Sequence, residues 1–318
     1  MDAPSPAPAA TRSSGRTATT LLLGAVLGAG AVLVAGWIDR APANPHDTPA
    51  FVGAPLRGTA AGETTAGAAS ESAGTFRLVA WNAHGLRGAD GDYNPALTVQ
   101  WLLASRFDLA LLQEVPGPAD GAAEGPASGM LGRFTGSSAA FVGTERRFGE
   151  EHTGNAVLST LPTGPVHRIP LPDTRGKAFR TMVLTTVFVP TEQNPAGEAV
   201  RVLNVHLTKP NLERGQIERA IDLFLALETP CVLAGDFNQP IDAPALTGLL
   251  AVDGVTDALA ALDPDEVLAS LPVDKEKVDH IFVRGLTVGE AAVVPTKASD
   301  HPLFRVDLRL PRAAPPTP

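Results

Sequence analysis

Cysteine is almost missing from this chain: Cys231 is the only one in 318 residues, which excludes an internal disulfide and leaves the folded part to stand on packing alone. It sits in an apolar run and reads as an inert core thiol. A surplus of positive charge is missing too. The formal charge is −9, and residues 75–311 hold 20 Lys and Arg against 29 Asp and Glu, which accounts for all of it. A broad electrostatic footprint for nucleic acid is thereby excluded, although a local cationic cleft is not. There is no internal repeat and no heptad pattern, so neither a solenoid nor a coiled coil is expected. Charge is wholly absent from residues 18–38, a stretch that as a helix of about 1.5 Å per residue spans about 30 Å, the thickness of a bilayer core.

That apolar segment has two readings. Arg12 and Arg16 precede it and the long remainder follows, so a membrane anchor would keep the N-terminus in the cytoplasm and place the rest outside. A cleaved signal peptide is the rival, with Val34 and Gly36 near a mediocre cleavage site. Its apolar region would run only about 7 to 15 residues, and this favours the uncleaved transmembrane anchor.

The remaining composition is that of a globular domain. Hydrophobic residues make up 44% of the chain, enough for one large core. Pro, Ala, Gly, Ser and Thr concentrate in residues 1–17 and 39–74, and Pro again in 312–318. We therefore expect a disordered cytoplasmic tail (1–17), an anchor (18–38), a disordered linker (39–74), one folded domain (75–311) and a disordered C-terminal tail (312–318).

Within the domain, short apolar runs of strand length each end in, or carry, a polar residue. Residues 76–81 lead to Asn82, 109–112 to Gln113 and Glu114, 200–205 to His206, and 231–234 to Asp236 and Asn238; 278–283 carries Asp279, and 303–310 follows Asp300 and His301. Residues 95–106 and 212–227 have a helical spacing of apolar positions. Strands mixed with amphipathic helices imply an α/β fold with buried sheets. Ligands gather where such strands end, and a set of Asn, Glu, His and Asp there is richer in chemistry than random turns would be. The pleat puts Asn204 on the same face as His206, so Asn204 is expected to support it from behind.

In order, Asn82, Gln113-Glu114, Asn204-Val205-His206-Leu207, Gly235-Asp236-Phe237-Asn238, Val278-Asp279-His280-Ile281 and Ser299-Asp300-His301 resemble the endonuclease/exonuclease/phosphatase superfamily. Gly154-Asn155-Ala156-Val157-Leu158-Ser159 is also similar to one of its strands. The resemblance implies a four-layer sandwich: two mixed, mostly antiparallel β-sheets face to face with helices outside. It implies Glu114, Asn82 and Asp300 as holders of a divalent ion, and hard oxygen ligands without a Cys and His cluster suit Mg²⁺ or Mn²⁺. It implies Asp236 orienting or deprotonating the attacking water, with Asn238 fixing Asp236 and touching phosphate. Asp279 would fix His301, which acts as base or as transition-state donor, and His206 would be a second donor. Arg180 and Asn155 are the candidate substrate contacts. Val205 departs from the threonine that many members carry before the histidine.

Plainer readings stand beside these. His84 reads as a solvated loop histidine, Arg180 equally as half of a structural ion pair, and Ser299 as a nucleophile only without the strand-to-helix elbow such serines need. The expectation is a metal-dependent phosphoric ester hydrolase, single-pass in the cell membrane with its domain outside, acting on a lipid, small-molecule or nucleic-acid phosphoester and needing no obligate protein partner. The alternatives are an extracellular nuclease and a non-catalytic phosphate-binding module.

Overall fold

Alternation along the second strand explains why the domain is layered. In β2 (Thr75–Asn82), Leu78 and Ala80 point into one buried cluster while Val79 and Trp81 point into another, the two-residue period of a strand covered on both faces. The computed structural model describes residues 50–53, 55–56, 73–117, 126–145, 152–172, 180–210, 215–273 and 275–311. The expected tail, anchor and C-terminal tail lie outside the described residues, as does most of the expected linker. Among the described residues no helix is long and apolar enough to cross a membrane.

Two sheets carry the fold. One has the order β12 (Thr287–Val294), β13 (Leu303–Arg309), β2, β3 (Leu109–Gly117), β5 (His152–Ser159), β4 (Ser138–Glu145). The other runs β1 (Ala50–Gly53), β6 (Val166–Pro170), β7 (Thr181–Val189), β8 (Glu198–His206), β9 (Cys231–Asp236), β11 (Asp279–Arg284), β10 (Val255–Asp257). The β2–β3 and β8–β9 pairs are parallel and the other pairings antiparallel. Parallel neighbours need a crossover, supplied by α1 (Pro95–Ser105) and α3 (Gln216–Ala226). The core between the sheets joins Leu78, Leu109 and Leu111 to Val183, Val202, Val232 and Ile281. A second cluster packs α1 and α2 (Pro126–Thr135) on the outer face of one sheet, and a third packs α3 and α4 (Pro244–Leu250) on the other. The four-layer expectation therefore holds.

Local signals set the element ends. The Asn94 side chain accepts from Leu97 N at 3.1 Å ahead of Pro95, a cap joined to a proline where no helical N–H is lost. Arg106, expected inside this helix, is its left-handed cap at φ 52°. A short α5 (Pro264–Ser270) follows β10. Within the expected linker, Ala50–Gly53 is a strand paired antiparallel with β6; this corrects the linker reading at those residues, because an edge strand offers unpaired backbone groups that a passing segment satisfies.

Both parallel pairs end on the same side. Asn82 closes β2, His206 closes β8 and Asp236 closes β9, while β11, being antiparallel to β9, starts there with Asp279 opposite Asp236. Gly235 lets β9 press onto its neighbour. A Cβ at this position would sit 2.0 Å from Val205 O, and its φ of +138° suits glycine alone.

His280, next to Asp279, is sealed in the core. It stacks on Phe282 and meets the edge of Phe237; Nε2–H donates to Gln239 O at 2.9 Å, whereas Nδ1 has no partner among the described residues. Burial foremost, with Lys277 adding to it, pushes its pKa down to about 3. The unfolded chain takes up this proton near pH 6.5 and the folded chain does not, so stability present above that pH drains as pH falls. At pH 5 the loss relative to pH 7 from this group is about 2 kcal/mol. His280→Gln, which keeps a donor toward Gln239, should flatten that part of the acid slope in urea unfolding followed at pH 7 and pH 5; an unchanged slope would contradict the assignment.

Candidate active site

At the shared strand ends, Asp236 is the hub. It is 1% exposed, its Oδ2 accepts from Asn82 Nδ2 at 2.9 Å and its Oδ1 from the Asn238 backbone N–H at 2.8 Å. Burial first, and the Asp279 charge second, push its pKa up to about 7, against the pull of His301 and these two hydrogen bonds. A carboxylate held there exchanges its proton near neutrality, as a general base must. Asn238 adopts φ 52° and its side chain donates to Leu207 O at 2.9 Å. It fixes Asp236 as expected, though through its backbone, and its side-chain N–H group locks the residue after His206.

Two histidines flank Asp236 in opposite charge states. His301 Nδ1 donates to Asp279 Oδ2 at 2.7 Å, and its Nε2 lies 3.9 Å from Asp236 Oδ2. Burial opposes its charge, but Asp279, by Coulomb attraction and hydrogen bond, outweighs that cost and pushes the pKa up to about 10. His206 is 2% exposed and accepts a hydrogen bond from Arg180: Nη1 to Nδ1 is 3.1 Å. A guanidinium only donates, so Nδ1 accepts and Nε2 carries the hydrogen. That Nε2–H points between Asp236 Oδ2 at 3.5 Å and Glu114 Oε1 at 3.8 Å without bonding closely to either. Burial, then Arg180 and His301, hold the His206 pKa well below its usual value. His301 is thus imidazolium and His206 neutral.

Glu114 reaches the site through an irregularity that the sequence did not announce. The run expected to stop at Leu112 continues to Gly117, with Leu112 opposite Ala156 and Val115 opposite Gly154, so Gln113 and Glu114 together face Asn155 alone. Such a bulge re-aims a side chain, and Glu114 takes φ 54° to do it, a conformation held only where surrounding structure enforces it. Its Oε1 accepts from Asn82 Nδ2 at 3.3 Å. Asp300 is placed beside it in sequence terms by Ser299, whose Oγ donates to Asn82 O at 2.7 Å and accepts from His301 N at 3.1 Å. The Trp81 indole N–H adds a bond to His301 O at 3.0 Å. With its hydroxyl so committed and itself 2% exposed, Ser299 anchors the loop and is no nucleophile.

Three expectations change. Asn155 is fully buried and donates to Thr181 O at 3.1 Å; what it is seen to do is tie the bulge region to the strand after Arg180. Asn204 donates to Leu112 O and Ala156 O and accepts from Gln113 Nε2 at 2.7 Å, stitching the two sheets behind the site instead of supporting His206. Arg180 donates to His206, and among the described residues it pairs with no acid. Sequence reasoning missed this partner of His206 because Arg180 directly precedes β7 and His206 ends β8, adjacent strands whose pairing no local pattern reveals.

The donor set fits a divalent cation. Among the described residues no lysine or arginine pairs with Glu114, Asp236 or Asp300, and Glu114 and Asp300 keep side-chain exposures of 32% and 41%. Asp236 faces the His301 imidazolium, whereas Glu114 and Asp300 are left without a lysine or arginine among the described residues, a charge that a divalent ion would balance. Asp236, Asp279 and His301 offer ligand atoms within 4.8 Å of one another, yet the imidazolium of His301 is itself a cation and its Nδ1 is spent on Asp279, so this trio serves protons. Glu114, which accepts from Asn82, and Asp300 are the remaining carboxylates that a divalent ion would use.

The endonuclease/exonuclease/phosphatase family model matches residues 79–301. No curated protein sequence matches the chain. Solved structures do: an endonuclease/exonuclease/phosphatase from Beutenbergia cavernae DSM 12333 superposes with a TM-score of 0.60 at 24% identity, covering 74% of this chain and 72% of that one. A family protein from Leptotrichia buccalis C-1013-b gives 0.58 at 17% identity over 74% and 100%. The human Nocturnin catalytic domain gives 0.53 at 17% identity over 74% and 93%. With the family match running from within β2 to His301 across the whole site, the chain belongs to the endonuclease/exonuclease/phosphatase family, a superfamily of metal-dependent phosphoesterases and nucleases.

Proposed function

We propose that this chain hydrolyses a phosphoester with a divalent ion, Mg²⁺ or Mn²⁺, at the Asp236 site. The observation that carries the reading is a near-neutral buried carboxylate flanked by one charged and one neutral histidine, each presenting an N–H. Glu114, Asp300 and Asn82 would hold the ion, which when bound supplies positive charge against the phosphoryl oxygens. Asp236, oriented by Asn82 and Asn238, takes a proton from the attacking water. The Nε2–H groups of His301 and His206 face the negative charge that grows on the phosphoryl and leaving oxygens. Asp279 keeps His301 charged, and Arg180 keeps His206 in the tautomer that donates. The acidic domain and an apolar segment of membrane-spanning length favour a lipid or small phosphodiester as substrate, with the domain tethered outside the cell membrane.

Hydrolysis of bis(p-nitrophenyl) phosphate should appear with Mg²⁺ or Mn²⁺, fall to background in EDTA and return on adding the ion. A panel of a phospholipid, a small phosphodiester, DNA and RNA then ranks substrates, and preference for nucleic acid would displace the lipid reading. Activity undiminished by exhaustive chelation would remove the metal from the proposal.

A further inference from the structure

Strict alternation along β3 would send Glu114 away from the site. Leu109 and Leu111 point between the sheets while Ala110 and Leu112 point toward the outer helices, so Gln113 points inward and a regular strand would aim Glu114 outward beside Leu112. The bulge opposite Asn155 cancels that step. It brings Glu114 Oε1 within 3.8 Å of His206 Nε2, at the cost of the left-handed φ of 54°. Surrounding structure must hold the backbone in this arrangement, and the bonds around Gln113 show which residues do so.

Gln113 and Asn204 are both fully buried. The Gln113 side-chain amide donates to Asn204 Oδ1 at 2.7 Å and to Leu111 O at 3.2 Å. The Asn204 side-chain amide donates in turn to Leu112 O at 3.2 Å and to Ala156 O at 3.1 Å. Leu112 and Ala156 are the last regular pair before the bulge, so one side chain from β8 grips both strands where their ladder opens. Gly235 leaves room for this contact, since a Cβ there would come within 3.1 Å of Gln113 Nε2. Gln113 Oε1 is buried without a partner among the described residues, which costs stability, so the amide at 113 serves position more than stability. We infer that Gln113 and Asn204 are positioning residues, an inter-sheet clamp that fixes the bulge and thereby aims Glu114 into the site. The inference rests on the reading that Glu114 helps hold a divalent ion, and adds that metal affinity depends on a bond between the two sheets as well as on the ligands.

The test compares Mn²⁺ titration, thermal melting and hydrogen exchange in the purified full chain and in Gln113→Met, which keeps the length of the side chain and removes its amide. Ala83 N donates to Gln113 O at 2.9 Å, so exchange of that amide reports on the bulge without any metal. The variant should melt close to wild type, exchange Ala83 faster and bind Mn²⁺ about 10- to 100-fold more weakly. Should the unmet Asn204 Oδ1 lower its melting, Gln113→Met combined with Asn204→Leu removes both partners of the bond and should show the same loss of affinity. Wild-type Mn²⁺ affinity in a folded variant, or unchanged exchange at Ala83, would overturn the clamp and leave the metal site standing. Wild type that binds no Mn²⁺, while the variants still exchange Ala83 faster, would bring down the metal reading and the link from clamp to metal affinity with it.

Discussion

Asp236→Asn is expected to lower kcat on bis(p-nitrophenyl) phosphate by about 10³-fold, within the range that one positioned base contributes, while leaving the fold intact. The substitution keeps shape, removes the proton acceptor and turns one of the two hydrogen-bonded carboxylate oxygens into an amide N–H₂. Stability should stay near wild type, since relief of the buried charge offsets the loss of one accepted hydrogen bond. Substrate hydrolysis and thermal melting of the same preparation separate the two effects. A variant that melts normally yet retains wild-type turnover would end the role of Asp236 as base.

Asp279→Asn should act through His301 and show itself in the pH profile. In the intact site the Asp279 carboxylate, against the cost of burial, keeps His301 protonated up to about pH 10. Without that charge the burial cost is opposed chiefly by Asp236 and Asp300, and the pKa falls toward its ordinary value of about 6.5. At a pKa near 6.5 about one-thirtieth of His301 would carry its proton at pH 8, so activity there should fall by up to about 30-fold and recover in part near pH 6. The sign follows from the donor role: lowering the pKa removes the charged form from the basic side. A variant equally impaired at every pH would mean that Asp279 positions the ring without setting its charge.

Both expectations depend on features that were unevenly legible beforehand. The run of apolar residues ending in Asp236 announced both the strand and the acid, since branched apolar residues favour strand interiors and an acid directly after them must be used or paired. The same logic located Asn82, His206 and the start of β11 at Asp279. It failed at Glu114, where the strand continues through a bulge: two-residue periodicity cannot register an extra residue until the partner strand is known. It failed at Asn155 and Asn204, both buried amides whose bonds cross between sheets and over distances of 26 to 92 residues along the chain. Helix α2 went unforeseen because Gly129 and Gly132 blur its signal, and β1 because the segment around it is rich in Pro, Gly and Ala.

The identity of the reacting groups was thus settled by the residues themselves: a carboxylate, amides and imidazoles at the ends of apolar strands are readable from order and alternation alone. What each group does was decided by folding. His301 and His206 are the same side chain, yet one is held charged by Asp279 and the other neutral by burial and by Arg180. Charge state and tautomer are set by neighbours within a few ångströms and by the removal of water. Neither exists until strands distant in the chain are packed side by side.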